Sequence, residues 1–251
     1  MIDGDRDGPS PDVDADTQSA ITTLFLLEQQ LNAARSLPGR DVVLQVMADG
    51  GGLLSCFVRV SNRDPTAAAE LVLAYASWCA AGMGPSHDPR PLAVGGRQLV
   101  DIMPEGAGTS QTPVAVVRDV RILGALLQQF SIDQVLRSHV AKLQRTMLES
   151  LPAQRHGLSM VQDLRELSLK LVARMMDPRM LLAQARAARF LLGAFPCKWG
   201  TIVVVDAPAS FGGLWRAAAS FLPTEFAASV QFMYRPEAEE RLERMFGQRV
   251  L

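Results

Sequence analysis

The hydrophobic pattern changes its rhythm once along the chain. Up to about residue 84 apolar positions recur at helical spacing. Ile21, Leu24, Phe25, Leu27 and Leu31 predict a helix running to about Ser36, which Pro38-Gly39 ends. A second helical stretch is expected from Leu53 to Val60, after the break at Gly50-Gly51-Gly52. Asp64 reads as an N-cap with Pro65 in the first helical position, opening a helix through Trp78. Residues 83–96 carry Gly, Pro and Asp and mark a boundary.

Beyond the boundary, short apolar runs alternate with amphipathic stretches. Pro113 to Val117 has strand composition, as do Gly157 to Val161 leading into Gln162-Asp163-Leu164, and Thr201 to Val205. Gln231 to Tyr234 forms a further short strand. Between them lie helical stretches at about Asp133 to Ser150, with Val135, Leu136, Val140, Leu143 and Met147 on one face, and at Pro178 to Phe190 after a turn or two over Ser168 to Met176. Glu237 to Phe246 predicts a last charged helix, where Arg235, Glu239, Glu240 and Arg244 suit i,i+4 pairs on a solvated surface. Strands alternating with helices after a helical preamble predict an α/β domain. The expected organisation is an acidic disordered tail over residues 1–18, a small all-α module over 19–84 and the α/β domain over 85–251.

Composition narrows the chemistry. With 48% apolar and 20% charged residues the chain has ample core, and a net charge of −1 gives no case for nucleic acid. Cys56, Cys79 and Cys197 are too scattered for a disulfide framework or a metal pair, which suits a reducing compartment. The acidic N-terminus lacks a basic-then-apolar leader, and no run reaches the roughly 18 apolar residues of a membrane span. The expected location is cytoplasmic. His87, His139 and His156 stand far apart and read as solvated or capping residues. No phosphate-binding loop occurs, and Ser210 lacks the glycine of a nucleophile elbow, having Pro208 two residues before it. Cys197 beside Lys198 reads as a packed thiol first and a lowered-pKa thiol second. The chain is therefore read as a non-enzyme needing neither cofactor nor metal.

One segment carries more information. From Phe211, the residues Phe211, Leu214, Trp215, Ala218, Phe221 and Leu222 fall on one helical face behind the N-cap candidate Ser210. Periodicity alone fits a plain amphipathic helix on a sheet. Gly212 and Gly213 in its first turn cost roughly 1 kcal/mol each relative to alanine, and Pro208 fixes the chain just before them, so the helix also fits a lid on a hinge. The order Phe195-Pro196, Gly200, Ile202 to Val205, Asp206-Ala207-Pro208, Phe211, Trp215 and Phe221-Leu222 resembles the signature of the CRAL-TRIO lipid-binding domain, which carries asparagine where Asp206 stands. Upstream, Gly157 with Met160 to Leu164 and the helix of Leu182 to Phe190 match the same family in order. Phe57-Val58-Arg59, Asp64, Ala67 to Glu70 and Trp78 match its N-terminal helical module.

The resemblance implies a mixed sheet as the floor of an apolar pocket, flanking helices, and the Phe211 to Leu222 helix as its gate, hinged at Pro208, Gly212 and Gly213. Met160, Gln162, Val203, Val205, Val230 and Phe232 would supply the floor, with the ligand-facing alternate set left open. The implied ligand is one lipid or isoprenoid molecule, exchanged at a transient membrane surface. The chain departs from the family where phosphoinositide headgroups are held. Cys197, Phe226 and Ser229 stand where an acid, a threonine and a lysine would be expected, leaving Lys198 and Arg59 as possible substitutes. The residue after Trp78 is Cys79 rather than arginine. The sequence ends at Leu251, where the family adds a Gly-rich closing segment. This fits either a naturally short C-terminus or a degenerate member with an altered pocket. An interaction module binding a protein partner, such as small GTPases or their regulators, is the alternative.

Overall fold

The computed structural model describes residues 11–34, 36–49, 52–82, 84, 92–104, 112–209, 211–220, 222 and 224–251, with backbone alone for 11–13, 214, 217, 218 and 225. Its first layer is helical: α1 (Pro11–Ala33), α2 (Arg40–Ala48), α3 (Gly52–Val60) and α4 (Pro65–Ala80). Asp64 caps α4 as its sequence suggests, its side chain accepting from the amides of Thr66 and Ala67 at 2.9 and 3.2 Å. The helix α1 begins well before residue 19, so residues 11–18 are helical rather than a disordered tail. The reason is a set of long-range partners: Asp16 pairs with Arg59 and Arg63 at 2.9 and 2.7 Å, and the Ser19 hydroxyl donates to the Arg63 carbonyl. Residues 1–10 lie outside the described residues.

Next come a small hairpin, β1 (Ala93–Val94) with β2 (Arg97–Gln98), and a five-stranded sheet. The sheet takes β3 (Asp101–Met103), β4 (Val114–Val117), β5 (Leu158–Asp163), β6 (Trp199–Val205) and β7 (Val230–Met233) in chain order. Only the β3–β4 pair is antiparallel. The crossovers are α5 (Arg121–Gln129), α6 (Ile132–Glu149) and α7 (Leu151–His156), then α8 (Leu169–Met175) and α9 (Pro178–Gly193), then α10 (Phe211–Ala219) and α11 (Thr224–Ser229). The last helix is α12 (Glu237–Phe246). No single helix among the described residues is long and apolar enough to cross a membrane.

Local chemistry fixes several boundaries. Ser131 and Gln134 form a capping box at α6, and Asp177 with Pro178 opens α9. Gly157 leads into β5 at φ 90°, and a Cβ there would meet the Lys198 carbonyl oxygen at 2.2 Å, so only glycine fits. The elements β1, β2, β3, α2, α5, α7 and α11 are not anticipated from the sequence. They are short, and α2 and α5 lack side-chain caps.

Strand register divides the core into two faces. One face sets Ala115, Met160, Ile202 and Val230 in a row, and Val117, Gln162, Val204 and Phe232 in the next. The other sets Val116, Val161, Val203 and Gln231 together, with Asp163, Val205 and Met233 beyond. That second face is closed by Ala238, Leu242 and Phe246 of α12 and by Val250. The helix α12 is therefore a packed lid on the core, correcting its reading as a solvated helix. The N-terminal layer is continuous with the α/β part: Leu27, Val46, Phe57 and Val72 share one buried cluster with Ala115, Leu143 and Phe190. The boundary at residue 84 marks a change of rhythm within that shared core.

His139 on α6 is enclosed rather than solvated, and its Nε2 has no hydrogen-bond partner. Burial, with a smaller push from the Lys142 ammonium, lowers its pKa from 6.5 to about 4. The unfolded chain takes up this proton first, so stability falls as pH drops through that interval. The expected loss is about 3 kcal/mol, measured by urea unfolding at neutral pH and near pH 4. In His139→Gln the loss shrinks; an unchanged loss places the proton elsewhere.

Candidate functional site: the α10 helix and the sheet face beneath it

The helix α10 follows β6 through Asp206-Ala207-Pro208. Asp206 adopts the left-handed conformation at φ 53°, where Asp and Asn are the best tolerated side-chain-bearing residues. Its amide donates to the Met233 carbonyl, tying the end of β6 to β7. The Pro208 carbonyl accepts from the Phe211 amide at 2.8 Å and starts the helix. Gly212 and Gly213 are exposed, and a Cβ on either would meet no atom within 4 Å. Neither glycine is required by close packing.

Two aromatics of α10 meet the sheet. Phe211 is 9% exposed and sits 6.2 Å from Phe232, ring centre to ring centre; Trp215 stands edge-on to Phe232 at 5.6 Å and 71°. Phe211, Trp215, Val204 and Val230 belong to one apolar cluster with Leu126, Leu171 and Met180 of α5, α8 and α9. Phe232 itself lies on the edge strand and is 41% exposed. The structure thus brings Phe211, Trp215, Val230 and Phe232 together. Met160 and Gln162 lie on the same face of the sheet, both on β5, two strands further in.

Val203 and Val205 are not on that face. They pack against α12 in the opposite core, because alternate residues of β6 point to opposite sides. Ile202 and Val204 occupy the helix-bearing face instead. Leu214 and Ala218 fall on α10 with their side chains undescribed, and Ser210 and Phe221 lie outside the described residues. Leu222 follows the end of α10, its amide donating to the Ala219 carbonyl at 3.1 Å.

Sequence spacing gave no hint of Arg235's central position at the root of α10. Its Nη2 donates to Asp163 Oδ2 at 2.6 Å, its Nε lies 3.0 Å from Asp206 Oδ2, and its amide donates to Asp206 Oδ1. The i,i+4 contact with Glu239 exists at 3.5 Å but is the longest of its ion contacts. Asp163, 3% exposed, also receives Arg165. One guanidinium therefore ties the carboxyl ends of β5 and β6 to the chain leaving β7.

The other end of β6 is sealed. Cys197 is buried and its thiol donates to the Lys198 carbonyl; burial pushes its pKa up to about 12, which overturns an activated-thiol reading. Lys198 donates to Asn62 Oδ1 at 2.7 Å, and Arg59 is engaged by Asp16 and Gln154. Both cations join the N-terminal helices to the rest of the chain instead of presenting a free headgroup lock. The Ser229 hydroxyl donates to the Phe226 carbonyl. Near the β3 edge, a cleft of about 650 Å³ is lined by Arg97, Asp101, Arg118, Asp119 and Lys142 among others. Its chemistry is ionic: Arg97 pairs with Asp119 and Arg118 with Asp101, while hydrogen bonding from Arg121 holds the Asp119 carboxyl below its usual range.

This arrangement has known counterparts. The sequence profile of the CRAL/TRIO domain matches residues 105–251, more than half of the chain. The chain belongs to the CRAL/TRIO family, whose members bind lipophilic ligands. Among solved structures, the crystal structure of Sfh5 matches with a TM-score of 0.62 at 10% identity, covering 99% of this chain and 89% of that one. Among curated proteins no sequence matches.

The Arg235 cluster makes a quantitative demand. Arg235→Ala leaves the buried Asp163 with one partner fewer and is expected to cost about 3 kcal/mol in chemical denaturation. Glu239→Gln, on the rim of the same cluster, is expected to cost about 0–1 kcal/mol.

Proposed function

We propose that the chain is a non-enzymatic carrier of a single lipid or isoprenoid molecule, held on the helix-bearing face of the sheet with α10 as a movable gate. The observation that carries this reading is the seating of Phe211 and Trp215 on the edge-strand ring of Phe232, behind a helix root with two unpacked glycines. A closed aromatic wall on a loosely constrained root suits a cavity that must open. Each buried CH₂ of a ligand tail contributes about 0.8 kcal/mol, so an apolar pocket needs no headgroup lock to hold a long chain. In this reading Met160, Gln162, Ile202, Val204, Val230 and Phe232 form the floor. Leu214 and Ala218 extend the gate along α10 by their helical spacing, Leu222 follows just beyond the helix end, and Pro208, Gly212 and Gly213 form the hinge of the gate. Transfer takes place at a membrane surface from the cytoplasmic side, where an aromatic-faced helix can enter the interface. The engagement of Lys198 and Arg59 elsewhere favours a ligand chosen by shape over one chosen by its phosphate.

Trp215→Asp is expected to abolish uptake of a fluorescent lipid or retinoid while the circular dichroism spectrum and melting temperature stay near those of the parent. Retained uptake would remove α10 from the site. Native mass spectrometry of protein purified from cells is expected to show one co-purified lipid per chain; a folded, empty protein supports a protein-interaction module instead. The hinge has its own test. Gly212→Ala with Gly213→Ala is expected to stabilise the chain by up to about 2 kcal/mol and to slow ligand entry and release in stopped-flow fluorescence. Unchanged rates at higher stability would exclude a hinge at these residues.

A further inference from the structure

The segment that crosses over between β5 and β6 has an outer surface unlike the rest of the chain. Residues 168–193 contain five cations, Lys170, Arg174, Arg179, Arg186 and Arg189, and a single carboxylate, Asp177, in a protein whose overall charge is −1. All five cations are exposed. The one carboxylate is already used, because its Oδ1 accepts from the Arg179 amide at the start of α9. Among the described residues no carboxylate comes within salt-bridge distance of Lys170, Arg179, Arg186 or Arg189. Several arginines elsewhere are neutralised, among them Arg97, Arg121, Arg165 and Arg235.

Large apolar side chains are interleaved with this charge. Leu169 is 73% exposed, Leu182 53% and Met176 39%. On α9 the residues Arg179, Leu182, Arg186 and Arg189 form one outward stripe at helical spacing, while Met180, Ala183, Ala187 and Phe190 are buried. Leu169 opens α8 and Met176 caps its C-terminal end, both exposed, while Leu171 points inward. The inward residues Leu171 and Met180 share their apolar cluster with Phe211 and Trp215 of α10. The exposed face is therefore the outer skin of the same layer that holds α10.

We infer that the outer face of α8 and α9 docks on an anionic lipid bilayer. Cations without internal partners attract acidic headgroups, and leucine and methionine side chains between them enter the headgroup boundary. A nucleic acid or an acidic polypeptide matches the charge but leaves Leu169, Met176 and Leu182 in water. This inference rests on the lipid-carrier reading for its purpose, since docking here brings α10 near the membrane; the surface itself stands independently of that reading.

The experiment is co-sedimentation of the full chain with phosphatidylcholine vesicles, with and without phosphatidylserine, over a salt series, beside fluorescent-lipid uptake without vesicles. Binding is expected only with phosphatidylserine and is expected to weaken as salt rises. Replacing Arg179, Arg186 and Arg189 by glutamine is expected to weaken vesicle binding by about a hundredfold, near fivefold per side chain, leaving vesicle-free uptake unchanged. Leu169→Gln with Leu182→Gln is expected to weaken binding while keeping its salt dependence. Equal binding to both vesicle types overturns the inference, as does undiminished binding by the arginine variant. Binding to an acidic polypeptide in the absence of vesicle binding also overturns it. Vesicle binding without lipid uptake upholds this surface and removes the carrier function; uptake without vesicle binding does the reverse.

Discussion

The organising constraint is that β4, β5, β6 and β7 lie in the sheet in chain order and all parallel. Parallel neighbours need a crossover, and crossovers are right-handed almost without exception. When each strand is added on the same side of the last, every crossover falls on the same face. That face receives α5 to α11, and the other is left bare until α12 returns to cover it. A ligand beneath α10 can therefore use only half of the side chains on β6. The remaining half belongs to the core that α12 covers, away from α10.

This geometry explains what was legible in the sequence and what was not. The strands β4 to β7 and the longer helices stand out by composition, spacing and caps such as Asp64. Ile202 to Val205, however, is uninterrupted apolar sequence, as expected of a strand buried on both sides. No alternation distinguishes its faces, and only register against β5 and β7 assigns Val204 to the α10 side and Val203 and Val205 to α12. Arg235 was illegible for a different reason. Spacing suggests Glu239 as its partner, whereas its strongest contacts are Asp163 and Asp206, 72 and 29 residues distant. The helices α2 and α5 have no side-chain cap to announce them. The early start of α1 depends on Arg59 and Arg63, which lie more than forty residues away.

The two ends of β6 have opposite characters. At its start, Phe195, Cys197 and Trp199 pack into the cluster that includes Phe190, Tyr75 and Phe57 of the helical layer. The rings of Phe190 lie 5.6 to 6.0 Å from those of Trp78, Tyr75 and Phe195, so the N-terminal helices are fastened to the sheet there. At its end the strand turns through Asp206, where the resembling motif carries asparagine. Both residues tolerate the left-handed turn, but aspartate adds a charge. Arg235 offsets that charge and also holds Asp163, so the substitution is accommodated by a cation from the segment after β7. The anchoring stops at Pro208, and the first turn of α10 inherits none of it.

On the carrier reading, the free-energy scale of a closed α10 follows from its contacts. Two aromatic contacts with Phe232 contribute about 0.5–1.5 kcal/mol each beyond their area, and two helical glycines oppose them by about 1 kcal/mol each. These terms nearly cancel, leaving burial of Phe211 and half-burial of Trp215 to decide the balance. Full burial of a phenylalanine side chain is worth about 1.5–3 kcal/mol, which on that reading would put an open form in the range of minor but accessible states. A rigid alanine-rich root would move the balance further toward closure, and loss of the Phe232 ring would move it toward opening. On the carrier reading, that near-cancellation is what lets a membrane interface shift the equilibrium. The interface replaces Phe232 as the apolar partner of Trp215, so opening on a bilayer sacrifices little of the burial that closure provides in water.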